Sequence, residues 1–185
     1  WDDGELSAKD VGPGMCLIDK WIRTNSKGKY DVNGDIAKSG KVNKKILDQY
    51  LDNFVASNSD RKSYDTNDFD ISFAKGLSLE DGAATLTYYT INIINSLFLA
   101  NKKLKIKEKI ILCGGGRKNK FLVKSIQERS KEKIKLIDDI GIDGDFVESQ
   151  AFAYLAIRSY FKLPISYRET TGVNRPSTGG VVVKN

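Results

Sequence analysis

Histidine is absent from this 185-residue sequence, and cysteine, methionine and proline number only two, one and three. Without an imidazole there is no Ser-His-Asp or Cys-His catalytic group, so acid-base chemistry has to come from Asp, Glu, Lys or Tyr. Cys16 and Cys113 cannot build a disulfide framework, and two thiols without histidine argue against a structural zinc site. No apolar run approaches the roughly 18 to 20 residues of a membrane span. An initiating methionine and a signal-peptide pattern are both missing from "WDDGELSAKD". The expectation is therefore part of a longer, soluble, cytoplasmic polypeptide with reduced thiols.

The residues that are there, 40% apolar and 29% charged, describe a globular chain with one sizeable core. The net charge of +6 is uneven: residues 101–135 hold thirteen Lys or Arg against three Asp or Glu. Such a stripe can attract nucleic acid or a phosphorylated ligand, or it can be a solvated lysine face. Phe121 is its only aromatic residue, which argues against an RNA-binding domain that stacks bases.

Apolar spacing places the elements. After Asp10, the Gly12-Pro13-Gly14 turn leads into a helix with Met15, Ile18 and Ile22 on one side, and Asp10 stands ahead of its N-terminus. Residues 28–40 read as turns, and a helix follows with Val42, Ile46, Tyr50, Leu51 and Phe54 on one face. Residues 56–76 read as a long polar surface loop. Ser78 opens the longest helix, to about Ala100, with Asp81 completing a capping box. "EKIILC" reads as a strand buried on both faces, "NKFLVKSIQERS" as a helix capped by Asn119, and "IKLID" as a second strand. That order is a βαβ unit in a parallel sheet, with "CGGGRKN" at the carboxyl edge, where open α/β sheets bind ligands. A helix from about Phe146 to Phe161 follows, then a glycine-containing tail with three valines as a possible last strand.

The glycine loop matches neither familiar phosphate motif. A Walker A loop needs Gly-Lys followed by Ser or Thr, and a dinucleotide fingerprint needs a third glycine where Asn119 stands. Three consecutive glycines fit close approach of a ligand to the backbone, or only a cramped strand-to-helix turn. Asp138, Asp139, Asp143 and Asp145 share one loop, but not at calcium-loop spacing.

The order of motifs is more specific than any one of them. D-V-G-P-G at 10–14, L-I-D at 17–19, Y-D-x-x-G at 30–34, "LSLEDGAATLTYYTINII", C-G-G-G-x-x-N at 113–119 and G-I-D-G-D-x-x-E at 141–148 together resemble the C-terminal half of the anhydro-N-acetylmuramic acid kinase family. The resemblance implies an α/β fold of the actin and sugar kinase superfamily. That means a ribonuclease-H-like domain with a mixed sheet, parallel βαβ units and flanking helices, its N-terminal partner domain absent. Residues 1–165 would be the kinase domain and 166–185 a tail packing on the absent part. ATP and magnesium would serve phosphorylation of 1,6-anhydro-N-acetylmuramic acid to N-acetylmuramic acid 6-phosphate in murein recycling. Asp10 would be the base that activates water, Glu148 its support or that of the metal, and Gly12, Gly14, Gly114, Gly115, Gly116 and Asn119 the nucleotide-binding turns. No metal ligand is assigned. The implied partners are sugar and ATP, with no nucleic acid and no membrane, and with a homodimer allowed for.

Three departures stand out against that family pattern. Val11 and Met15 replace the Thr and Asn of D-T-G-P-G-N and cannot supply their hydrogen bonds. Lys62-Ser63-Tyr64 begins a loop where many relatives carry K-S-T-G-R-E. The N-terminal G-T-S-x-D-G phosphate loop is not in the sequence. A non-catalytic nucleotide-binding relative of the same fold is the alternative reading, and an RNA-binding domain the weaker one.

Overall fold

The apolar stripe beginning at Leu79 carries the fold. In the computed structural model, which describes residues 8–57, 63–100, 110–130 and 133–183, helix α4 (Leu79–Ala100) is the longest element. Four other helices pack on it: α1 (Cys16–Asn25), α2 (Asp35–Ser39), α3 (Lys44–Ser57) and α5 (Lys120–Arg129). Leu17, Ile18, Trp21 and Ile22 of α1 are buried there with Ala83, Leu86 and Ile93 of α4. Trp21 lies across the start of α4: its indole N–H donates to the Leu79 carbonyl at 2.9 Å, and a Cβ on Gly82 would collide with the ring.

The expected cap of α4 is half present. Ser78 Oγ accepts the Asp81 amide at 3.1 Å, but the Asp81 carboxylate turns outward to accept the Lys41 amide at 2.7 Å. Thr85 Oγ accepts from the Asn43 amide at 3.0 Å, so α4 uses its first two turns to dock residues 41–43. Residues 28–40, read as turns alone, also contain α2.

A larger correction concerns residues 56–76. Residues 58–62 lie outside the described residues, but Phe69, Ile71, Phe73 and Ala74 are core, not surface loop. Phe69, Ile71 and Phe73 alternate with polar residues at a period of two, and two short 3₁₀ turns (Thr66–Asp68, Ser72–Ala74) carry them inward. The rings of Phe69 and Phe73 belong to a cluster with Phe54, Tyr64 and Tyr89 in which centroids lie 5.3 to 6.3 Å apart. Burial pushes the Tyr89 phenol up to about 12, with Tyr64 and Tyr50 adding to it.

Strands β1 (Ile110–Leu112) and β2 (Ile134–Leu136) pair in parallel, Ile110 opposite Ile134, with α5 as the crossover. The βαβ unit is as expected; its burial is not. Ile110 and Leu112 pack with Ile91, Leu122 and Ile126, while Ile111 faces out, 41% exposed. Among the described residues the sheet has only these two strands, so alternate positions find no second layer. The chain is thus α/β with a small parallel sheet and helices around it.

Among the described residues, those from Asp10 to Leu136 form one compact unit, and residues 137–183, with residues 8 and 9, a second. The second unit holds α6 (Val147–Tyr160) and α7 (Arg168–Thr171). Arg158 ties it together, donating to the Pro164 carbonyl at 2.7 Å and to the Tyr167 hydroxyl at 2.7 Å. The tail folds back through an antiparallel bridge between Ser166 and Ser177, and Val181–Val183 form no strand.

Candidate functional site

Two turns and the helices they start build the site. The first runs from Asp10 to Gly14. Gly12 sits so close to Ile93 that a Cβ there would meet its Cγ2 at 2.8 Å. Gly14 takes a left-handed φ of 52°, and its carbonyl accepts from Thr90 Oγ1 at 3.3 Å. The N-cap of α1 is Met15, which makes no side-chain cap, so Asp10 lies too far upstream to cap this helix. Its partner is Ser63, whose Oγ lies 3.1 Å from both the Asp10 amide and the carboxylate Oδ2.

The second turn leaves β1. Gly114 has a φ of 78°, and Gly115–Lys118 form a 3₁₀ turn. The Gly114 carbonyl accepts from the Arg117 amide at 3.3 Å and from its guanidinium at 3.2 Å, so Arg117 is a buried strut of the loop. Asn119 caps α5 as expected, its Oδ1 accepting the Leu122 amide at 2.9 Å.

Between the turns lies a cavity of about 800 Å³. Its lining comes from Gly14, Met15 and Asp19, from Tyr30 to Asn33, from Gly115, Gly116 and Asn119, and from Thr90 and Ile94 of α4. Two buried polar atoms here have no hydrogen-bond partner: Asp19 Oδ1 and Asn119 Nδ2. Asn119 is only 4% exposed. Burial pushes the Asp19 carboxyl up, Arg23 opposes this and Asp31 adds to it. Asp31 is itself satisfied, accepting the Ile36 and Ala37 amides at 2.9 Å each. Asp19 and Asn119, both in the cavity lining, thus each keep one buried polar atom unsatisfied, at a desolvation cost of about 1–3 kcal/mol.

The sequence had L-I-D as part of a motif without giving Asp19 a role. A signal was there: residue 19 lies four after Met15 and three before Ile22, beside the apolar stripe of α1, where a carboxylate is out of place.

Of the residues singled out beforehand, Gly14, Gly115, Gly116 and Asn119 line the cavity. Asp10, Gly12 and Gly114 stand outside its lining, in the same turns. Glu148 is exposed in the first turn of α6, in the other unit. Among the described residues no three His, Cys, Asp or Glu side chains gather as a metal site. In the aspartate-rich loop Asp138 accepts the Gly144 amide at 3.2 Å and Asp143 the Asp145 amide at 2.9 Å.

Of the basic stretch 101–135, residues 101–109 and 131–132 lie outside the described residues. Arg117 is buried, Lys124 lies 3.7 Å from Glu128, and Arg129 stacks over Tyr88 at 4.7 Å. No described helix is long and apolar enough to cross a membrane.

The profile of the family described as anhydro-N-acetylmuramic acid kinase matches residues 2–185. A Pelagibacter ubique protein named anhydro-N-acetylmuramic acid kinase is 51% identical over 186 residues, covering 98% of this chain and 50% of its own length. Proteins of the same name from Rhizorhabdus wittichii and Zymomonas mobilis are 41% and 39% identical over 180 residues, 97% of this chain and 48% of theirs. The chain spans about half the length of these relatives, and the expected C-terminal placement finds no support in these matches. With a match along nearly its whole length, the chain belongs to the anhydro-N-acetylmuramic acid kinase family.

Proposed function

We propose that this chain is the nucleotide-side part of an ATP-dependent kinase with the actin and sugar kinase fold, acting on 1,6-anhydro-N-acetylmuramic acid in murein recycling. The observation that carries this reading is the cavity between the glycine loop and α1, with an unpartnered donor and acceptor in its walls. Gly115 has open space where a side chain would project, which leaves backbone free for a nucleoside to approach. Gly14, at the turn into α1, would face the phosphates.

In the chemistry implied by the family, water attacks the anomeric carbon and gives its proton to Asp10. The bond from that carbon to the bridging oxygen breaks. The released oxygen takes the γ-phosphoryl group, ADP leaves, and the product is N-acetylmuramic acid 6-phosphate. Such transfer needs positioning and charge stabilisation more than histidine, in keeping with the composition. Magnesium would be held chiefly by the nucleotide's phosphates and by water, a mode that needs no cage of protein ligands. Glu148 keeps the role that the family resemblance implies, support of the base or of the metal.

The test is phosphoryl transfer from ATP to 1,6-anhydro-N-acetylmuramic acid by the full-length protein. Asp10→Asn should lower kcat by about 10²- to 10⁴-fold with ATP still bound. Undiminished turnover in that variant would remove Asp10 from the chemistry. ATP binding without any transfer by the wild type would favour the non-catalytic relative.

A further inference from the structure

We propose that Ser63 is a positioning residue for Asp10, fixing the direction of its carboxylate; this rests on the reading of Asp10 as the base. One hydroxyl makes both ends of the contact. Ser63 Oγ accepts the Asp10 amide at 3.1 Å and donates to Asp10 Oδ2 at 3.1 Å. A side chain whose own backbone amide and carboxylate are bridged by a single oxygen loses rotamer freedom at χ1 and χ2. Ser63 occupies Oδ2, so Oδ1 is the oxygen assigned to the reacting water.

The bridge is anchored on the core. The next residue, Tyr64, donates its amide to the Asp10 carbonyl at 3.0 Å, so the main chain of Asp10 is held on both sides. The Tyr64 ring packs against Phe54 at 5.3 Å and Phe69 at 5.5 Å, inside the aromatic cluster that includes Tyr89. Asp10 is exposed and has no helix cap to hold it. Its orientation is borrowed from the core through residues 63 and 64, from a segment whose K-S pair the sequence marked without a role. A base must meet its proton within about 2.6–3.2 Å, and small misplacements of such a group cost turnover while leaving substrate binding alone.

The experiment is steady-state kinetics of the full-length protein with ATP and 1,6-anhydro-N-acetylmuramic acid, using Ser63→Ala, Ser63→Thr, Asp10→Asn and the double variant Asp10→Asn/Ser63→Ala. Ser63→Ala should lower kcat about tenfold with both KM values unchanged, and Ser63→Thr, which keeps the hydroxyl, should restore most of it. In the Asp10→Asn background Ser63→Ala should have no further effect, because the two residues act as one unit. If Asp10→Asn cripples turnover while Ser63→Ala leaves kcat intact, or if the two losses multiply, the positioning role is overturned. If Asp10→Asn itself leaves kcat intact, the base assignment fails first. Equal thermal midpoints for wild type and Ser63→Ala, with kcat lowered, separate positioning from damage to the fold.

Discussion

Asp19 is the residue whose burial and chemistry pull hardest against each other. Its carboxyl is pushed up by burial, so its folded value lies above its unfolded one. The sign then follows: a group raised on folding contributes most at low pH, and that contribution is lost as pH rises through the folded value. At neutral pH the ionised form is a cost to the fold. Asp19→Asn should therefore raise the melting temperature by a few degrees at pH 7, with the gain fading toward pH 4. The same change should weaken ATP binding about tenfold, the loss of one charge-assisted hydrogen bond. Thermal scans at both pH values and a titration with ATP check the two halves. A cost in stability kept where a ligand would sit is a common mark of a binding site.

At the scale of elements, the sequence was most legible where periodicity was strong and local. The stripe of α4, the Asn119 cap and the βαβ order all came from spacing and capping chemistry. The burial of Phe69, Ile71 and Phe73 did not, because a period of two over five residues, broken by 3₁₀ turns, is hidden in a polar stretch. Nor could spacing reveal that Asp81 would accept from Lys41, forty residues away, instead of closing its own capping box. The cavity was legible only in part: the glycine loop was read as an approach for a ligand, while Asp19 needed the fold to reveal what it faces. The junction of α1 and α4 gives a direct check on the packing. Trp21→Phe removes the N–H that reaches the Leu79 carbonyl and leaves a void beside Gly82. Chemical denaturation should find it about 2–3 kcal/mol less stable, with the m-value unchanged.

Across the whole molecule, stability is unevenly spread. Leu17, Ile18, Leu86 and Ile93 in α1 and α4 are almost fully buried, whereas α6 has no buried residue and exposes Phe152, Tyr154, Ile157 and Tyr160. In this chain, amide hydrogen exchange should accordingly be slowest in α1 and α4 and faster by at least an order of magnitude in α6. Function is expected to gather in the better packed unit, where a rigid core positions the two turns. On the proposed function, the cavity beside the glycine loop takes the nucleoside of ATP. Gly115 tests it cleanly, since a side chain there meets no neighbour within 4 Å and its φ is not left-handed. The measurement is phosphoryl transfer to 1,6-anhydro-N-acetylmuramic acid by full-length Gly115→Leu, with ATP and sugar varied in turn. KM for ATP should rise at least tenfold while KM for the sugar and the melting temperature hold. A KM for ATP equal to that of the wild type would place the nucleoside elsewhere.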